Sequence, residues 1–99
     1  MVVSMKIILI YDIDTTDQET NPNKRLRKIL NISRQYLNQI QKSVFEGNLT
    51  QGELFKLKNE ILKVVDKEKD SVIIYLLNDG VDLKRNILTN IKDPYDNFL

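Results

Sequence analysis

From Lys6 to Ile13 the chain reads Lys-Ile-Ile-Leu-Ile-Tyr-Asp-Ile, apolar at nearly every position and short. A run that is apolar on both faces predicts a central β-strand covered on both sides, here followed by a polar loop that ends at Asn21. Asn21-Pro22 is a helix-start pair, since a proline in the first turn costs no intrahelical hydrogen bond. Leu26, Ile29, Leu30 and Ser33 then recur at helical spacing and predict a helix from Pro22 to Gln35. Between Leu37 and Gly47, Ile40 and Val44 fall on one face and Gln39, Gln41, Ser43 and Phe45 on the other, which predicts one less regular strand over the whole stretch. Thr50-Gln51-Gly52-Glu53 fits a capping box, in which the threonine hydroxyl and the glutamate carboxylate satisfy each other's free amides. Leu54, Leu57, Ile61, Leu62 and Val65 continue from it as the stripe of a second helix, Gln51 to Val65.

After Asp70-Ser71, the run Val72 to Leu77 predicts a third strand, again central, and Asn78-Asp79-Gly80 is a hairpin-closing turn signal. Val81, Leu83, Arg85 and Ile87 alternate with polar residues and predict a fourth strand from Val81 to Leu88. Asp93-Pro94 interrupts what precedes it, leaving Tyr95, Phe98 and Leu99 as an apolar tail too short to bury itself. The predicted order β-α-β-α-β-β belongs to the α+β class, as a two-layer sandwich with both helices on one face of the sheet.

Composition narrows the chemistry more than the fold. A chain of 99 residues, 41% hydrophobic and 29% charged, supports one folded domain with one small core. No apolar run approaches the ~20 residues that span a bilayer. The first residues lack the features of a secretory signal and the chain has no cysteine, so the expected location is cytoplasmic. Histidine is absent as well. That removes thiolate nucleophiles, imidazole relays and the usual nitrogen-sulfur zinc sites, so any hydrolysis must run on carboxylates with an oxygen-bound metal such as magnesium or manganese.

Charge is segregated along the chain. Residues 1–19 hold Lys6 against Asp12, Asp14, Asp17 and Glu19, whereas residues 20–45 hold Lys24, Arg25, Arg27, Lys28, Arg34 and Lys42 with no acid. Four of these cations lie in the first two turns of the predicted helix, where the dipole favours acidic residues by ~0.3 to 1 kcal/mol each. A local rule broken repeatedly in one place marks a candidate site, and the anion suited to this end is a phosphate. At the end of the first strand, Asp12 lies directly against the apolar run, and Asp14 begins the polar loop. One carboxylate is a sparse magnesium site, which usually takes one or two together with waters and substrate phosphates. A two-fold axis near Asp12 would supply the second.

Tyr11-Asp12-Ile13 closing the first strand, Arg25 and Lys28 on the first helix, and Gln41-Lys42-Ser43-Val44-Phe45-Glu46-Gly47 at these separations resemble the CRISPR-associated protein 2 family over about residues 5 to 77. The resemblance implies a ferredoxin-like fold and a homodimer in which residues 81–99 extend the partner's sheet. It implies association with the CRISPR integrase in spacer acquisition, and a metal-dependent endonuclease acting on RNA or double-stranded DNA. Carried onto this chain, Asp12 and Tyr11 are the catalytic candidates. Asp12 is the ligand for Mg2+ or Mn2+, and Lys24, Arg25, Arg27, Lys28 and Arg34 are the nucleic-acid contacts. Two other readings fit the same residues: a non-catalytic DNA-binding scaffold of that family, and a ferredoxin-like toxin or regulatory domain whose basic block meets an acidic protein or small ligand. A steep salt dependence of DNA binding separates the first two from the third.

Overall fold

Burial alternates along β1 (Ser4–Asp12), and that alternation sets the layers of the molecule. Ile7, Leu9 and Tyr11 are buried on one face, while Ile8 and Ile10 are half-buried and Asp12 exposed on the other. The structure is a computed structural model, described here for residues 3–78 and 81–89. β1 runs antiparallel to β3 (Val44–Thr50) on one side and to β4 (Ser71–Leu77) on the other, and β2 (Asn38–Gln41) completes a sheet of order β2-β3-β1-β4. α1 (Pro22–Tyr36) and α2 (Gln51–Val64) pack against each other and over one face. Their Ile29, Leu57 and Ile61 meet Ile7, Leu9, Phe45 and Leu49 in the core. This is the ferredoxin-like two-layer sandwich. No helix among the described residues is long and apolar enough to cross a membrane.

Four strand expectations are corrected. β1 is interior to the sheet but is covered by helices on one face only, and β4 is an edge strand rather than a central one, because no further strand among the described residues pairs with it. The stretch from Leu37 to Gly47 is not one strand but the hairpin of β2 and β3, turned at Lys42-Ser43, with a register shift between Gln39 and Gln41. The turn carries no glycine or proline, so the sequence lacks the usual punctuation, and the side-chain alternation runs on across it. The residues from Val81 to Leu88 form no strand and are exposed, although the turn bond from Val81 N to Asn78 O is present. Alternating side chains do not by themselves make a strand: these residues pair with neither free edge of the sheet, β4 or β2, and without a ladder the alternation has nothing to register against. Tyr95, Phe98 and Leu99 lie outside the described residues.

The capping box forms as expected: Glu53 N donates to Thr50 Oγ1 and Thr50 N to Glu53 Oε1. Asn21 does stand at the α1 N-cap, but with φ of +54° and no side-chain bond to the helix. Gly47 lies close under Leu37: a Cβ there would meet Leu37 Cδ2 at 2.9 Å, so a larger residue requires that buried side chain to shift.

α1 buries Pro22, Arg25, Ile29 and Ser33, so its inward stripe is rotated from the one the apolar spacing predicts, and Leu26 is 37% exposed. Arg25 is therefore not a surface cation. It is 7% exposed, and its guanidinium donates to Asp70 Oδ2 from Nε at 2.9 Å, to Asp70 Oδ1 and Asp14 O from Nη2, and to Thr20 O from Nη1. The Asp70 side chain is fully buried and also accepts from the Asp14 and Asp66 amides. Burial alone pushes the Asp70 carboxyl up, but Arg25 and the two amides more than reverse this and hold it below the ordinary carboxylate range.

A depressed folded value means that the stability from this group is complete above the unfolded carboxylate pKa, near 4, and is lost as pH falls through the lower folded value. Asp70→Ala strands Arg25 without its partner and should lower unfolding stability at pH 7 by about 3 kcal/mol. Urea titrations across the acid range should also show a weaker loss of stability below about pH 4 in the variant than in the wild type.

Candidate functional site

The acidic residues after β1 divide by what they hold. Asp14 Oδ1 accepts from Thr16 Oγ1 at 2.6 Å and from Thr16 N at 2.9 Å, bonds that keep its pKa below the ordinary value. Asp17 pairs with Lys69, which lowers its pKa, and caps the short 3-10 turn Gln18–Thr20 through Glu19 N. Both are structural. Asp12, the last residue of β1, stands opposite Ser71 in the sheet register and is exposed, and its carboxylate has no hydrogen bond or ion pair among the described residues. The strand pleat puts it on the open face, away from the helices.

Beside Asp12, the end of β1, one side of α1 and the β2-β3 turn enclose an open groove of about 430 Å3. Its walls are apolar at Ile13, Leu26 and Leu30, and cationic at Arg34 and Lys42. The turn is pinned to the strand: Tyr11 N donates to Ser43 O at 3.1 Å, and the Tyr11 hydroxyl donates to Lys42 O at 3.3 Å. Gln39 Nε2 reaches the same carbonyl and Gln39 Oε1 accepts from Arg34 Nε at 2.9 Å. Tyr11, expected beside Asp12 as a catalytic residue, is only 4% exposed and points to the helix side, its ring stacked on Phe45 at 5.9 Å. It positions the turn.

Of the five expected nucleic-acid contacts, Arg25 is excluded by its burial in the Asp70 pair, and Lys24, Arg27, Lys28 and Arg34 are exposed. At ~100° per residue, Arg27 and Arg34 project on the Leu26-Leu30 side of α1 and Lys24 and Lys28 on its far side. Lys42 belongs to the same charge block, but only the hairpin brings it to the groove, and a single-strand reading had no means of placing it there. Among the described residues no three acidic side chains form a metal cluster. A lone exposed carboxylate suits a cation held mainly by water and substrate phosphates, as magnesium is.

A ferredoxin-like domain with an unpartnered carboxylate at the end of its central strand, beside a cation-rimmed groove, is a class of protein fitted to meet a polyanion. The family model described as CRISPR associated protein Cas2 matches residues 5–93, and the chain belongs to that family. It is 55% identical to "CRISPR-associated endoribonuclease Cas2 2" of Moorella thermoacetica, over 94% of this chain and 100% of the relative. To the "CRISPR-associated endoribonuclease Cas2" of Methanocaldococcus jannaschii it is 38% identical, over 97% of this chain and 77% of that one. A solved structure titled "Crystal structure of cas2" superposes with a TM-score of 0.71 at 27% identity, covering 97% of this chain and 99% of that one. The expected family and fold are both confirmed.

If Tyr11 positions rather than reacts, Tyr11→Phe should cost about 1 kcal/mol of stability for the hydroxyl bond. Nucleic-acid cleavage by the variant should stay within a few-fold of wild type in a gel assay. A loss of 100-fold or more would restore Tyr11 to the reacting groups.

Proposed function

We propose that this chain is a metal-dependent endoribonuclease of CRISPR adaptation, working as a homodimer. The observation that carries the reading is Asp12: an exposed, unpartnered carboxylate ending a strand whose neighbours on the open face are apolar. Ile73 and Tyr75 are 46% and 53% exposed there, and Ile8 and Ile10 are half-buried. Covering this face with a second copy removes the patch from water and can bring the two Asp12 side chains together. Residues 81–99 are proposed to extend the partner's sheet, which gives the alternating Val81 to Leu88 segment the ladder it does not form within one chain. The relatives named as endoribonucleases support the activity, and the same assembly with the CRISPR integrase and DNA in the cytoplasm is the setting proposed for it.

Asp12 would hold Mg2+ or Mn2+, and such an ion, when bound, supplies Lewis-acid polarisation of the phosphodiester and an acidified water. The chain's own cations orient the substrate. Arg27, Arg34 and Lys42 face phosphates near the groove, and Lys24 and Lys28 extend the basic surface around α1. A second reading is favoured by the lone carboxylate per chain: a scaffold that grips duplex DNA with these cations and cuts nothing.

Asp12→Asn decides between them. Under the nuclease reading, magnesium-dependent RNA cleavage falls by about 100-fold or more. Phosphate-driven binding persists, the apo dimer is at least as stable because two like charges are gone, and magnesium no longer raises its melting temperature. A variant that melts lower with and without magnesium, with no magnesium shift in wild type, removes Asp12 from the metal site. Sedimentation at micromolar concentration should give a dimer, and a monomer overturns the architecture. Changing Arg27, Arg34 and Lys42 to glutamine together should flatten the salt slope of binding by roughly 0.7 to 0.9 per lost phosphate contact.

A further inference from the structure

We propose that the groove beside Asp12 is a subsite for one unpaired nucleotide of single-stranded RNA, with the base against the apolar wall and the flanking phosphates on Arg34 and Lys42. This deepens, and rests on, the endoribonuclease reading. Helical spacing predicts Leu26 as a core residue, yet it stands 37% exposed and forms the groove wall with half-buried Leu30 and with Ile13. Its apolar surface therefore has no partner in the core to account for it, on a helix side that otherwise carries cations.

Charge selects the occupant. The Arg34 Nη groups and the Lys42 ammonium have no ion-pair partner among the described residues, whereas Arg34 Nε is held by Gln39, so the guanidinium is oriented but not consumed. The Ser43 and Thr15 hydroxyls on the groove likewise have no protein partner among the described residues and can meet a base edge or a ribose hydroxyl. A flat apolar ring with hydrogen-bonding edges, joined to anions on both sides, matches that combination. A base inside a duplex does not, because both its faces are already stacked. At about 430 Å3 the groove falls within the ~300 to 1,000 Å3 range of sites that hold small molecules.

The groove also includes Asp12. A strand that leaves the Leu26-Leu30 wall and crosses the end of β1 toward the open face carries its next phosphodiester past that carboxylate, so the subsite would set where the strand meets the reacting group.

The test uses the full chain in EDTA, so that nothing is cut, and measures anisotropy with a fluorescent RNA pentanucleotide and its fully abasic counterpart of equal phosphate count. Wild type should bind the base-bearing strand about 5- to 100-fold more tightly, the range of a stacked base. Leu26→Ser, a change at an already exposed position, should bring the base-bearing strand to within about twofold of the abasic one and leave the abasic affinity unchanged. Affinity for a blunt RNA duplex should not change. Equal binding of the two pentanucleotides by wild type overturns the subsite, as does a Leu26→Ser loss that is equal for single strand and duplex. A greater base dependence for the deoxy pentanucleotide overturns the assignment to RNA. Asp12→Asn should keep the base dependence, so a failure of the nuclease reading shows in cleavage alone and a failure of the subsite shows in binding alone.

Discussion

A carboxylate taken out of water, Asp70, holds together the end of the molecule from which its function projects. The Arg25 guanidinium and two backbone amides converge on it, and Arg25 in turn ties down the carbonyls of Asp14 and Thr20. One buried pair thus joins the loop after β1, the start of α1 and the entry to β4. A single buried charge would be intolerable, and the pair persists only because nearly every lone pair and proton in it is satisfied. The Lys69-Asp17 pair adds a surface tie between the same loop and the turn before β4.

With that end fixed, the pleat of β1 does the sorting. Tyr11 turns inward to Phe45 and to the hairpin turn, and Asp12 turns outward into solvent one residue later. Adjacent residues therefore serve separate purposes: one anchors Lys42 and Ser43 at the groove, the other offers a free carboxylate. The cations of α1 divide in the same way. Arg25 is structural because it lies on the inward stripe, whereas Arg27 and Arg34 are available to a ligand because they do not. Four basic residues at a helix start violate the dipole preference as a group, but they do not form one set: a buried ion pair accounts for Arg25, whereas Lys24, Arg27 and Lys28 are exposed, as the proposed phosphate contacts need to be.

The open face of the sheet is the second unfinished surface. Its apolar residues Ile73 and Tyr75 and the exposed Asp12 carboxylate share that face, so under the proposed homodimer one two-fold would serve both the packing and the chemistry. The groove is lined by residues of one chain, so the proposed nucleotide subsite does not depend on whether the carboxylates are paired.

The sequence by itself determined the two helices, the first and last strands in chain order, β1 and β4, and the capping box at Thr50, because each rests on local periodicity or a short-range hydrogen-bond pattern. It also determined the chemistry available, since a chain without histidine or cysteine leaves carboxylates for hydrolysis, and it singled out Asp12 by its position against an apolar run. Only the tertiary structure decided that the stretch after Leu37 folds back as a hairpin, because a turn without glycine leaves no mark in the alternation. The same holds for Arg25 and Leu26. Their spacing cannot show that Asp70, 45 residues away, draws the arginine inward and leaves the leucine at the surface, since burial is settled by what the rest of the chain brings to that face. Lys42 reached the site by the same route: a hairpin placed it, and no motif in the linear chain announced where it would point.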